Sequence, residues 1–91
     1  MMFNDAINIL SLKFNDTDGS WYLRHPSQPN LLFYGSKKQI YAKAMKDKKA
    51  KKIFPVNLGL DMLVSKDWEI IKAKFDKHDY LIEVTVLDIN T

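Results

Sequence analysis

The sequence predicts an α+β domain, an antiparallel sheet of three to five strands with two helices packed on one face, in the order ββ(β)α(β)αβ. Three observations carry that expectation. Several short stretches alternate apolar and polar residues with the period of two that a half-buried strand requires. A lysine-rich run, Ser36 to Phe54, opens on a helix-capping pattern. A segment beginning at Ser65 spaces Trp68, Ile71 and Phe75 as one face of a helix would. With 91 residues and 46% hydrophobic content the chain is sized for one core, so residues 1–91 are expected to form a single domain.

Ile7 to Phe14 sets Ile9, Ser11 and Lys13 against Leu10, Leu12 and Phe14, which predicts a first strand. Asn15 to Ser20 supplies turn chemistry, and Asp18-Gly19 suits the positive φ of a tight reversal. Trp21 to His25 continues as a second strand with Trp21 and Leu23 on one face and Tyr22 and Arg24 on the other. Pro26 and Pro29 bracket a loop, because neither can donate to a sheet ladder, and Leu31 to Tyr34 reads as a short third strand.

Ser36 and Gln39 have the spacing of a capping box at the start of a basic helix over 36–54. Ile40, Tyr41, Ala44 and Met45 would form its inward stripe, leaving Lys46 to Lys52 to project into solvent and fray. Pro55 would end the helix at Phe54. Val56 to Val64 reads as a fourth strand or a buried loop. Ser65 would then cap a second helix, with Asp67 and Glu69 in its first turn, where acids favour the dipole. Tyr80 to Ile89 alternates Ile82, Val84 and Val86 with Glu83, Thr85 and Leu87, predicting a final strand.

The net charge of +3 is unevenly distributed. Residues 36–54 hold eight of the thirteen lysines against Asp47 alone, a local charge of +7, while the segments on either side are acidic. Such asymmetry steers anionic partners. The chain has no cysteine, which excludes disulfides, a thiol nucleophile and a Cys-ligated zinc site, and fits a reducing compartment. No apolar run approaches the roughly 20 residues of a membrane span, and the N-terminus lacks the pattern of a signal peptide. A cytoplasmic protein without membrane association is expected.

Motifs for chemistry are thin. Asp16-Thr17-Asp18-Gly19 shares the D-x-D-G core of a calcium loop, but Phe14 and His25 would stand at its first and closing ligand positions. A hairpin turn is the better reading. His25 and His78 share no metal spacing, and no G-x-S-x-G context supports a triad of a histidine with Asp16 or Asp18 and a serine. No catalytic residue, metal or cofactor is expected.

Two binding readings remain for the lysines. In the first, a small non-enzymatic protein-binding module docks Lys46, Lys48, Lys49, Lys51 and Lys52 on an acidic protein surface, or on a nucleic-acid-binding protein. In the second, a small nucleic-acid-binding domain uses these lysines with Lys37, Lys38 and Lys43 for phosphates, and Arg24, Tyr22 and Tyr34 for further contacts and stacking. The presence of a single arginine weighs against the second, since arginine is favoured for bidentate phosphate and guanine contacts. A third expectation is a virion structural protein, which would self-assemble.

Residues 55–72, with Pro55-Val56-Asn57-Leu58-Gly59 followed by Val64-Ser65-Lys66-Asp67-Trp68-Glu69-Ile70-Ile71-Lys72, resemble a stretch of small uncharacterised phage and prophage proteins. The resemblance implies a phage or mobile-element accessory protein, such as an inhibitor of a host system, and implies no catalytic residue.

Overall fold

The computed structural model describes residues 1–12, 20–36 and 38–87. Lys13, Phe14, the turn with the Asp16 to Gly19 calcium reading, Lys37, and the last strand's end at Ile89 lie outside the described residues. The chain forms α1 (Phe3–Leu12), β1 (Ser20–Arg24), β2 (Leu31–Gly35), β3 (Ile40–Lys46), β4 (Lys49–Val56), α2 (Leu60–Val64), β5 (Glu69–Phe75) and β6 (Leu81–Val86). All six strands join one antiparallel sheet in the order β4-β3-β2-β1-β5-β6.

This architecture corrects the expected fold class: the described residues are mostly sheet, with six strands rather than three to five, and do not pack two helices on one face. Helix α1 replaces the predicted first strand. Phe3, Ala6, Ile7 and Leu10 fall at i, i+3, i+4 and i+7 and are all buried, and Asp5 in the first turn complements the dipole. A strand would have placed Leu12 with Leu10 in the core, whereas Leu12 is 82% exposed. The five-residue α2 buries none of its side chains and occupies the end of the stretch expected to be a fourth strand or buried loop.

The basic helix is instead the β3–β4 hairpin. Ile40 and Ala42 are buried and alternate with Tyr41 and Lys43, a period of two that overrides the capping pattern. Asp47 and Lys48 join the strands in a two-residue turn with φ of 52° and 65°, the left-handed geometry that matches strand twist. Ser36 does accept a backbone N–H, but from Lys38, and its own N–H donates to the Gln39 carbonyl, closing a turn rather than capping a helix. Gly35 makes that turn at φ +123°, where an added Cβ would stand 2.4 Å from the Gln39 carbonyl oxygen.

The second predicted helix is strand β5. It lies inside the sheet between β1 and β6 and is covered on both faces, Ile70 in the cluster with α1 and Ile71 and Ala73 in the cluster on the opposite side. Burial on two faces removes the alternation by which a strand is recognised. Ser65 accepts the Asp67 N–H, again as a turn. The expected strands at Trp21, Leu31 and Tyr80 correspond to β1, β2 and β6.

Two clusters hold the sheet. On the α1 side, Trp68 is 2% exposed and packs edge-on against Phe3, Phe33 and His25 with ring centroids 5.0–5.3 Å apart. Its indole N–H donates to the Met62 carbonyl at 2.7 Å, so the buried polar group is satisfied. On the far side, Tyr22, Leu32, Ile71 and Ala73 form a smaller cluster with Tyr34, Met45, Phe75 and Leu81 around it. The sheet bends over this second cluster until its outer hairpins touch. Leu81 N–H donates to the Lys48 carbonyl at 2.7 Å, Ala50 N–H donates to the Asp79 carbonyl at 2.8 Å, and Lys49 bridges to Tyr80.

Candidate functional site

The lysines singled out for partner binding sit at the corner where the two outer hairpins meet. Lys46 and Lys49 are opposed at the end of the β3–β4 ladder, Lys48 is in its turn, and Lys51 and Lys52 follow along β4. The corner is anchored through the Lys48 carbonyl and the Ala50 amide, so the expectation of a fraying helix end is overturned. Lys49 Nζ lies 5.2 Å from the Tyr80 ring centroid and Lys52 Nζ 5.6 Å from that of Phe54, within cation–π range. None of Lys46, Lys48, Lys51 and Lys52 has a carboxylate partner among the described residues; the Arg24–Glu69 and Lys74–Glu83 pairs are elsewhere.

Acidic groups do border the corner. The Asp76 carboxylate accepts the backbone N–H groups of Tyr80 at 2.9 Å and His78 at 2.8 Å. The Tyr80 bond first, then that from His78, holds this carboxyl below the ordinary aspartate range, with smaller help from the charges of His78 and Lys49. Asp76 thereby shapes the β5–β6 turn on which the lysine corner rests.

The residues proposed for nucleic-acid contact divide. Tyr22, Tyr34 and Lys43 come together on the far face, joined by Tyr41 and Phe75, which sequence reasoning did not single out. For Tyr41 the signal was present in the strict alternation of Tyr41 and Lys43 with Ile40 and Ala42. Lys43 Nζ donates to the Tyr22 hydroxyl at 2.7 Å and lies 4.6 Å from the Phe75 ring centroid and 5.0 Å from that of Tyr22. Tyr22 is buried, and Tyr34 stacks on Tyr41 at 5.7 Å and an interplanar angle of 27°. Burial raises the Tyr34 hydroxyl's pKa, and the nearby Lys43 charge partly opposes that rise.

These rings are largely satisfied by one another, as cross-strand packing requires. Arg24 is tied to Glu69 at 2.5 Å. Lys38 lies at the other end of β3, beside a half-open groove of about 470 Å³ between α1 and the end of β4. Of the proposed set, then, Lys38 stands apart from the aromatic group, and Arg24, on the same face of β1 as Tyr22, is engaged by Glu69.

His25 is buried between two serines. Nδ1 lies 2.8 Å from the Ser27 hydroxyl and 3.1 Å from the Ser27 backbone nitrogen, and Nε2 lies 2.7 Å from the Ser65 hydroxyl. Among the described residues no carboxylate bonds the ring. The Ser65 contact joins the β1–β2 loop to the entry of β5. His78 is exposed in the β5–β6 turn. Among the described residues no group of three or more His, Asp or Glu side chains is placed to hold a metal, and no helix is long and apolar enough to cross a membrane. No family model, curated protein or solved structure matches the chain.

Proposed function

We propose that the protein is a small non-enzymatic binding module that engages an acidic protein surface through the lysine corner formed by Lys46, Lys48, Lys49, Lys51 and Lys52. The observation that carries this reading is that four of these five ammonium groups lack a carboxylate partner among the described residues while their backbone is anchored at both Lys48 and Ala50. An anchored cationic corner loses less freedom on binding than a frayed helix end would. The resemblance of residues 55–72 to small phage and prophage proteins fits an accessory protein or inhibitor of a host system.

The test is binding of a labelled poly-glutamate peptide, alongside single- and double-stranded DNA and RNA oligonucleotides, across a salt series. Charged contacts of this kind contribute roughly 0.2–1 kcal/mol each. Reversal of Lys48, Lys51 and Lys52 to Glu is therefore expected to weaken peptide binding at least about tenfold, the equivalent of about 1.4 kcal/mol. Undiminished peptide binding by the triple variant at every ionic strength overturns the proposal. Tight oligonucleotide binding with a steep salt slope, and none to the peptide, would favour the nucleic-acid reading, which draws its support from Tyr34, Tyr41 and Lys43 sharing one face.

A further inference from the structure

We propose that the outer edge of β6 is a self-association site, at which a second copy of the chain adds its own β6 antiparallel and joins the two sheets about a two-fold axis near Thr85. The backbone directions on β6 follow from its pairing with β5. Leu87 N–H donates to the Ile70 carbonyl at 2.8 Å, and the register continues through Ile71 and Val86, Lys72 and Thr85, Ala73 and Val84. In an antiparallel ladder alternate residues direct both backbone groups to the same neighbour. Glu83, Thr85 and Leu87 therefore face β5, and the N–H and C=O groups of Val84 and Val86 face outward, where no described residue meets them.

The side chains agree with that availability. Ile82, Val84 and Val86 are 64%, 37% and 49% exposed. Edges that must stay unpaired carry lysine, proline or inward charges, and β4 has Lys51, Lys52 and Pro55. β6 has neither lysine nor proline, and the carboxylate of its one acid, Glu83, lies 3.8 Å from Lys74 of β5. The register shift opposite Phe75 falls at the other end of β6, where Leu81 is already bonded to Lys48.

Charge selects the edge that two copies can share. Pairing β4 with itself would oppose lysines, which is destabilising. Pairing β6 with itself about Thr85 sets Val84 opposite Val86 of the second copy, Thr85 opposite Thr85, and Glu83 opposite Leu87, with no like charges opposed. A register centred on Val84 would instead bring Leu87 of the second copy into the space beside Leu81 that Lys48 already occupies. The Thr85-centred arrangement is isologous, so it closes at a dimer.

Sedimentation velocity over a concentration series tests this, with Val84→Pro and Val86→Lys as variants. Proline at residue 84 removes an outward donor and leaves the β5–β6 hydrogen bonds intact. The wild-type chain is expected to dimerise, with Val84 and Val86 amides more protected from hydrogen exchange in the dimer. Each variant should raise the dissociation constant at least tenfold while the Thr85 amide, which faces β5, stays protected. A wild-type chain that remains monomeric at the highest concentration reached overturns the proposal, as does dimerisation unchanged in both variants. Open-ended growth abolished by charge reversal at Lys51 and Lys52 would also overturn it, by showing a β4-to-β6 contact.

Discussion

The two outer hairpins of the sheet share a topology and differ in almost everything that borders it. β4 is an edge of lysines and a proline, behind which β3 contributes little bulk to the core beyond Ile40 and Ala42. β6 is an edge of valines and isoleucine, behind which β5 supplies Ile70, Ile71 and Ala73, all at 1% exposure or less. If the lysines served only to keep an edge from pairing, the same protection would be expected on both sides. The two edges instead differ in composition and exposure: β4 presents lysines and a proline, β6 exposed valines and an isoleucine.

Truncation behind each edge should give the largest contrast. Ile71→Ala empties a fully buried site opposite Val86 and is expected to cost about 2–5 kcal/mol in denaturant unfolding. Ile53→Ala on β4, at a side chain 54% exposed, should stay within about 0.5 kcal/mol. Equal losses would erase the distinction between the hairpins.

The turns offer a finer comparison. Lys48 and Asp79 both adopt positive φ, at 65° and 66°, but Asp tolerates that region better than Lys. Lys48→Gly relieves a left-handed penalty of roughly 1–2 kcal/mol and adds a glycine entropy cost of roughly 0.5–1 kcal/mol. A net gain of about 0.5–1 kcal/mol should appear as a higher unfolding midpoint, with a smaller gain for Asp79→Gly. A loss on Lys48→Gly would mean that the turn is not strained.

The smallest effect concerns acid. Because the Asp76 pKa is lowered in the folded chain, its contribution to stability is present above the ordinary aspartate value and is lost as pH falls through the lowered one. Asp76→Asn should therefore reduce the acid sensitivity of the thermal midpoint while leaving the lysine side of the corner in place. An identical pH profile in both proteins would remove Asp76 from the account of the β5–β6 turn.

Strands whose two faces differ were legible in the sequence. Trp21 and Leu23 against Tyr22 and Arg24, and the valines of β6 against Glu83 and Thr85, announce their pleat directly. Where two periods fit the same residues, the choice was decided by packing that no local pattern contains. Leu10 paired with Leu12 on the strand template and with Ile7 on the helix template, and the burial of Ile7 together with the exposure of Leu12 decides for the helix. Trp68, Ile71 and Phe75 had helical spacing, yet Trp68 belongs to one face of the core, Ile71 and Phe75 to the other.

The candidate site was legible as composition and not as shape. The lysines of 36–54 were conspicuous, but Ser36 and Gln39 offered a cap that the chain uses for a turn. The hairpin's connection is Asp47-Lys48, which lacks the glycine that usually advertises such a reversal. The meeting of this turn with Tyr80 depends on the bend of the whole sheet, a property to which every strand contributes.

That meeting also has a place in time. Joining Ala50 to Asp79 closes a chain segment of about thirty residues, for which the length-dependent part of loop-closure entropy is about 3 kcal/mol. Two backbone hydrogen bonds, at a net of roughly 0.5–1.5 kcal/mol each, do not offset that cost by themselves. The contact can therefore form only after the intervening strands have assembled, which places it late in folding. A partner that recognises the joined lysine corner would thus discriminate the finished protein from a nascent or partly unfolded chain carrying the same lysines.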